Sequence, residues 1–215
     1  MISHSFTLAR KALIKYKYYT LINVFGLVCG MLSVLIIAKY IGASTQLDSF
    51  HANRNNIYLV SHKEVADGYS QETRNTTYLG VADLITQFPD AREFTRFHQH
   101  VESLVMADDI NSEQLSFTEN KIFIADSGFL KIFTFPLIHG DPKTALANAN
   151  SIVLTKSTAE KYFGNTNPIG ETLRIRVSWG KETAYQVMGV TQDIPKLSRF
   201  DFDFLIAHPE VNTDE

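Results

Sequence analysis

From Tyr18 to Ala38 the chain runs for 21 residues without a charge, bounded by Lys17 and Lys39. As a helix, such a run spans roughly 30 Å, the thickness of a bilayer hydrocarbon core. A buried globular helix of that length would show a polar face. Here the polar side chains are Thr20, Asn23, Cys29 and Ser33, spread around the helix. The pattern therefore predicts a transmembrane helix at residues 20–41. A cleaved signal peptide is the alternative, but it would have a shorter apolar core of about 7–15 residues and a small-x-small cleavage site. This run is longer and closes on Lys39-Tyr40, so cleavage would have to fall near Ala43. Gly26-x-x-x-Gly30 has the small-x-x-x-small spacing that lets membrane helices approach closely, and it fits the ordinary abundance of glycine in such helices equally well.

Upstream of the span, Phe6, Leu8, Ala9, Ala12, Leu13, Tyr16 and Tyr19 fall on one half of a helix drawn at 100° per residue. Arg10, Lys11, Lys15 and Lys17 fall on the other half, with Ile14 the exception. That is the pattern of an interfacial helix lying on an anionic leaflet, so residues 1–19 read as an amphipathic basic segment. A basic flank without a defined helix is the plainer reading.

Downstream, hydrophobic periods switch between two and 3.6. IYLVSH (57–62) reads as a strand, and TTYLGVADLITQF (76–88) as a helix ended by Pro89. Segments 93–98 and 101–106 read as a strand pair, 117–126 as one further strand, and 127–136 as a short helical turn. SIVLT (151–155) is a strand that runs into a helix capped by Thr155 or Ser157 and ended by Gly164. A turn at Pro168-Ile169-Gly170 leads to strands ETLRIRV and AYQVMGVTQDI, and Phe200, Phe202 and Phe204 alternate with Asp201 and Asp203 as a half-buried strand. Helices mixed with strand pairs argue for an α+β fold: one N-terminal transmembrane helix, then a mixed α/β domain with βαβ-like units.

Charge sharpens this division. The whole chain of 215 residues has a net charge of -3 and a mean hydropathy of -0.07, values of an ordinary soluble domain. Yet the first 47 residues hold Arg10, Lys11, Lys15, Lys17 and Lys39 and no acid, while the rest set 15 cations against 23 acids, a net -8. Such asymmetry points to a membrane or nucleic-acid partner. The basic stretch abuts a membrane span, which favours lipid over nucleic acid even with Tyr16, Tyr18 and Tyr19 among its cations. With the cations before the span, the positive-inside tendency places the N-terminus in the cytoplasm and everything after Lys39 outside. Fifteen Phe and nine Tyr exclude a disordered chain, and one cysteine, Cys29, excludes a disulfide framework.

Candidate chemistry is sparse. His98-Gln99-His100 sets two imidazoles on one strand face as a pair of possible zinc ligands, but no third ligand has matching spacing, and exposed strand histidines are the plainer reading. Asp108-Asp109 and Asp201/Asp203 lack a calcium-loop pattern and read as solvated faces. No G-x-S-x-G elbow is present. Asn75-Thr76-Thr77 is a glycosylation sequon. The loop KYFGNTNPIG lacks the GxxxxGK[ST] arrangement and follows a helix, which argues against phosphate binding. No catalytic, cofactor-binding or metal site is expected.

Four segments, in order, resemble a known family. The basic segment running into the span is followed by LDSFHANRNNIYLV, in which Asp48, Phe50, His51, Asn53, Ile57 and Tyr58 stand in a D-x-F-H-x-N-x-x-x-I-Y pattern. ADSGFLKIFTFPLIHGDPKTAL, SIVLTKSTAEKYFGNTNPIGETL and YQVMGVTQDIP complete the resemblance, which is to bacterial MacB/FtsX-like ABC transporter permeases and their MacB-like periplasmic core domain. The resemblance implies a division into a cytoplasmic basic segment at 1–19, a span at 20–41, a stalk at 45–56 and a periplasmic core domain at 57–215, C-terminally incomplete. It implies a permease that relays motion from a separate cytoplasmic ABC ATPase, for efflux or signalling. ATP would then sit on that partner and no cofactor on this chain. Other implied partners are a second permease copy, the lipid bilayer, and a periplasmic adaptor or outer-membrane component. Phe50, Ile57 and Tyr58 would anchor the chain leaving the inner membrane, Asp48, His51 and Asn53 would cap a connecting helix, and Gly164, Pro168 and Gly170 would shape a turn. Family permeases carry three further spans, whereas no second hydrophobic run follows here, so the chain reads as an N-terminal portion. A membrane-anchored periplasmic binding or adaptor module without an ATPase, and the sensor domain of a receptor, remain as alternatives.

Overall fold

The computed structural model describes residues 11, 13–66, 69–73, 90–100, 102–108, 114–177 and 181–208. Residues 11 and 13–15 are helical, the backbone leaves helical geometry at Tyr16 (φ −105°, ψ 44°), and helix α1 (Lys17–Gln46) then runs for 30 residues. That is about 45 Å of helix, so the helix extends beyond 20–41 at both ends. Its hydroxyls are satisfied locally: Ser33 Oγ donates to the Cys29 carbonyl at 2.9 Å and Thr45 Oγ1 to the Gly42 carbonyl at 3.0 Å. This is how a polar side chain is accommodated in an apolar helix without a partner. Lys11, Lys15, Lys17 and Lys39 are exposed, while Arg10 and the rest of the first ten residues lie outside the described residues.

The chain divides into two units between Leu47 and Asp48. In the second, β1 (His62–Ala66) and β2 (Tyr69–Thr73) form a separate antiparallel hairpin. The other described strands form one mixed sheet: β3 (Phe97–His100), β4 (Ser103–Asp108), β5 (Gln114–Glu119), β6 (Ile122–Ala125), β7 (Leu137–His139), β8 (Ser151–Thr155), β9 (Thr172–Val177), β10 (Glu182–Thr191) and β11 (Phe204–Ala207). Their order is β3-β6-β11-β8-β10-β9-β4-β5, with β7 on the end of β10. β8 with β10 and β6 with β11 are parallel; the remaining pairs are antiparallel. Helix α2 (Phe129–Ile132) follows β6, and α3 (Lys156–Phe163) lies in the crossover from β8 to β10, a βαβ-like unit.

Alternation along the central strands fills both faces. Ile152 and Leu154 of β8 and Phe204 and Ile206 of β11 pack with Ala159 and Tyr162 of α3. Val153 and Leu205, from the same strands, point the other way and pack with Phe129 and Leu130 of α2 and with Phe133, Phe135, Phe200 and Phe202. Each such Phe, fully removed from water, stabilises the fold by roughly 2–3 kcal/mol.

Several elements differ from the sequence pattern. Residues 57–61 are not a strand; the strand starts at His62, and Tyr58, Leu59 and Val60 are exposed. Segments 93–98 and 101–106 shift to β3, which is shorter, and β4, which are not partners: β3 pairs with β6, and β4 with β5 and β9. The stretch 117–126 is two strands, β5 and β6, broken at Asn120-Lys121, because β5 closes one sheet edge while β6 lies next to the other. Only Phe204 of the alternating Phe residues is in a strand; Phe200 and Phe202 sit on the loop before it. Helix α3 has Thr155 at its cap position, yet the Thr155 hydroxyl bonds Thr158 Oγ1 at 2.8 Å. The Asp193 carboxylate does the capping, accepting the Ser157 N–H at 2.9 Å. The expected helix 76–88 lies outside the described residues.

Candidate functional site

The D-x-F-H motif opens the second unit and folds against two distant loops. Asp48 takes a left-handed backbone conformation (φ 55°), one that Asp enters more readily than most residues. Its N–H donates to the Leu197 carbonyl at 3.0 Å. Its Oδ1 accepts the Ser198 hydroxyl at 2.8 Å and the Arg199 N–H at 3.0 Å. Ser198 Oγ in turn accepts the Phe200 N–H at 3.0 Å. The carboxylate thus caps the 198–200 turn.

Three residues on, His51 is 3% exposed. Its Nδ1 accepts the Thr134 N–H at 3.0 Å, and the Thr134 hydroxyl accepts the Ala52 N–H, also at 3.0 Å. Phe50 lies at 4.1 Å between ring centroids, Phe133 and Phe135 at 5.3 Å, and Phe200 at 5.8 Å. Burial in this aromatic nest pushes the His51 pKa below its ordinary value, against the opposing pull of Asp48. With Nδ1 accepting, the neutral imidazole carries its proton on Nε2. That atom lies 4.0 Å from Asp48 Oδ1 and has no hydrogen-bond partner among the described residues.

The motif residues therefore divide. Phe50 and Ile57 pack on the core. Tyr58 is 83% exposed and anchors nothing among the described residues. Asp48 and His51 reach loops rather than capping a helix, since the short 3-10 helix Arg54–Asn56 has no side-chain cap and Asn53, before it, is exposed. The sequence reading missed Thr134, Ser198 and the ring formed by Phe133, Phe135 and Phe200. The alternation in IFTFP was the available signal; it describes an extended segment after α2.

The turn residues stand as follows. Gly164 ends α3 at φ 61°, with its N–H on the Glu160 carbonyl at 3.0 Å. Pro168 is buried. Gly170 at φ 92° donates to the Val187 carbonyl of β10 at 2.8 Å. At β3, the fold brings His208 beside the paired histidines, with ring centroids 6.2 Å apart for His98 and His100 and 6.0 Å for His98 and His208. Burial, then His100, lowers the His98 pKa. Among the described residues no group of three His, Cys, Asp or Glu is placed to hold a metal ion. Asp201 pairs with Lys121 at 2.7 Å on the surface.

What remains is a built site where the chain enters its sheet domain: a buried histidine, a shared carboxylate and an aromatic ring of partners. The family model of the MacB-like periplasmic core domain matches residues 20–213. The chain belongs to this family. It carries the MacB-like periplasmic core domain of ABC-type permeases and, among the described residues, one helix long and apolar enough to cross a membrane. Among solved structures it is similar to a domain assigned to a permease protein from Porphyromonas gingivalis, at 25% identity and TM-score 0.45, covering 60% of this chain and 56% of that one. The periplasmic region of MacB from Actinobacillus actinomycetemcomitans matches at 16% identity and TM-score 0.41, over 63% and 58% of the two chains. The extracellular domain of the noncanonic ABC-type transporter YknZ from Gram-positive bacteria matches at 17% and 0.36, over 59% and 61%. The chain thus spans less than two thirds of each of these solved chains. No curated protein matches it.

Proposed function

We propose that this MacB-like chain is a permease subunit, or the N-terminal portion of one, in an ATP-driven machine of the bacterial inner membrane, its N-terminus cytoplasmic and its sheet domain periplasmic. In this reading a separate cytoplasmic ABC ATPase supplies the work, a second permease copy completes the assembly, and a periplasmic adaptor or outer-membrane component receives the motion. The observation that carries the reading is the placement of the Asp48–His51 clasp. It begins one residue after Leu47, so a displacement of the span enters the sheet domain through covalent continuity at Asp48. Five hydrogen bonds, at Asp48 and Thr134, then spread it to loops 133–136 and 197–200. A buried clasp on a rigid two-faced sheet suits transmission of movement better than binding of a small molecule.

Two measurements test this. In a Cys29→Ser background, Ser61→Cys in intact cells whose outer membrane admits the reagent should react with a membrane-impermeant thiol probe. Labelling only after lysis would reverse the orientation. In native membranes holding the neighbouring ATPase, a fluorophore on Arg54→Cys should change its signal with ATP and not with ADP. No nucleotide response would leave the adaptor or receptor reading in place of the permease.

A further inference from the structure

The clasp holds two alternatives for one carboxylate. Asp48 Oδ1 is occupied by Ser198 and Arg199, at 2.8 and 3.0 Å. The buried His51 Nε2–H waits 4.0 Å away without a partner among the described residues. Meanwhile His51 Nδ1 is an acceptor for the Thr134 N–H. An imidazole in this setting has no spare acceptor: a proton taken up from solvent must go on Nδ1, where it meets another N–H.

We propose that Asp48 and His51 form a proton-operated catch, in which protonation of Nδ1 expels the Thr134 N–H and turns the imidazolium Nε2–H onto the Asp48 carboxylate. The closed catch exchanges a neutral hydrogen bond for a charge-assisted one. It draws Asp48 off the 198–199 turn and out of its left-handed conformation, and it frees the Ala52–Thr134 contact. The surrounding charges permit this. Segment 133–136 contributes no ionisable group, and loop 197–200 contributes Arg199, whose Nε is 3.9 Å from Asp48 Oδ2 and which is 78% exposed. On the motif's own segment Arg54 is engaged with the Ser49 carbonyl. Asp48 is therefore the carboxylate facing His51, and burial moves the acidity needed to close the catch below the ordinary histidine value. The inference goes beyond the permease reading and needs no ATPase.

Residue-resolved amide exchange on the full chain in detergent, from pH 8 to pH 5 and corrected for intrinsic rates, tests it. The Thr134 and Ala52 amides should lose protection by about tenfold or more on acidification while Ile152–Leu154 of β8 stay protected, a sub-global opening. His51→Asn, whose Oδ1 takes the place of the Nδ1 acceptor without titrating, should keep that protection at pH 5. Asp48→Asn should move the wild-type opening to lower pH. Protection unchanged to pH 5, loss in step with β8, or equal loss in His51→Asn would each overturn the proposal. The wild-type titration decides alone if a variant does not fold. Because no nucleotide enters the experiment, its failure leaves the ATP-driven reading untouched, and the fluorophore test can fail without affecting this one.

Discussion

Ser198 Oγ donates to Asp48 Oδ1 at 2.8 Å across 150 positions of sequence. This bond ties the first residue of the sheet domain to the loop before its last described strand. Hydrogen bonds to a charged group contribute about 1.5–3 kcal/mol, so Asp48→Ala should destabilise the domain by that order. A double-mutant cycle of Asp48→Ala with Ser198→Ala should show coupling of about 0.5–1.5 kcal/mol by denaturant unfolding. Asp48→Gly, which loses the carboxylate but relieves the φ of 55°, should be milder than Asp48→Ala by about 1 kcal/mol. Additive single effects would remove the bond from the account.

Glycines divide by what a Cβ would meet. At Gly140 (φ 92°) an added Cβ would lie 2.3 Å from the Met188 carbonyl oxygen, and at Gly128 2.2 Å from that of Phe94. At Gly164 and Gly170 nothing lies within 4 Å. Gly140→Ala and Gly128→Ala should therefore cost about 3 kcal/mol or more, because backbone must move. Gly170→Ala should cost about 1 kcal/mol from positive φ alone, and Gly164→Ala about 1–3 kcal/mol, because its φ of 61° is joined to a ψ of −136° that lies outside the left-handed helical region. Melting temperatures of the four variants measured side by side give the ranking.

Phe200 is 8% exposed and touches His51, Phe97, Phe123, Phe129, Phe133 and Phe135. Phe200→Ala should cost about 3–5 kcal/mol, whereas Tyr58→Ala, at a side chain 83% exposed, should fall within about 0.5 kcal/mol of wild type. Similar losses at both positions would mean that Tyr58 is covered in solution.

Burial, more than the neighbouring charges, raises the pKa of Asp203 above its ordinary value. The folded state then holds this proton more tightly than the unfolded state, so the group costs stability as pH rises from the unfolded pKa of about 3.9 through the folded one. The full cost persists at pH 7. Asp203→Asn should melt higher than wild type at pH 7, and the difference should vanish below about pH 4, where both forms are neutral. A difference independent of pH would assign the effect to packing.

Sequence periodicity reached what local physics determines. The uncharged run around Leu27 reads as one long helix, which the structure has, and Ile152-Val153-Leu154 followed by a helix and Gly164 carries its punctuation in adjacent residues. It failed where a partner lies far away. Nothing near Ser157 announces Asp193 as its cap, and nothing in FTENKIFIAD shows that Asn120-Lys121 breaks it between two strands on opposite sides of the sheet. At the clasp, Asp48 and His51 stood out by pattern, yet their partners Thr134, Phe200 and Ser198 are ordinary residues made important only by where the chain returns.

The sheet order has a consequence for biogenesis. β11, the last described strand in the chain, is inserted between β6 and β8, at the heart of the sheet. A nascent chain that has emerged only as far as β10 holds β6 and β8 as two raw, unzipped edges, each apolar and open to pairing with a neighbour. The described sheet is therefore keyed shut by β11, and its time of greatest vulnerability is the interval before residues 204–207 take their place in it.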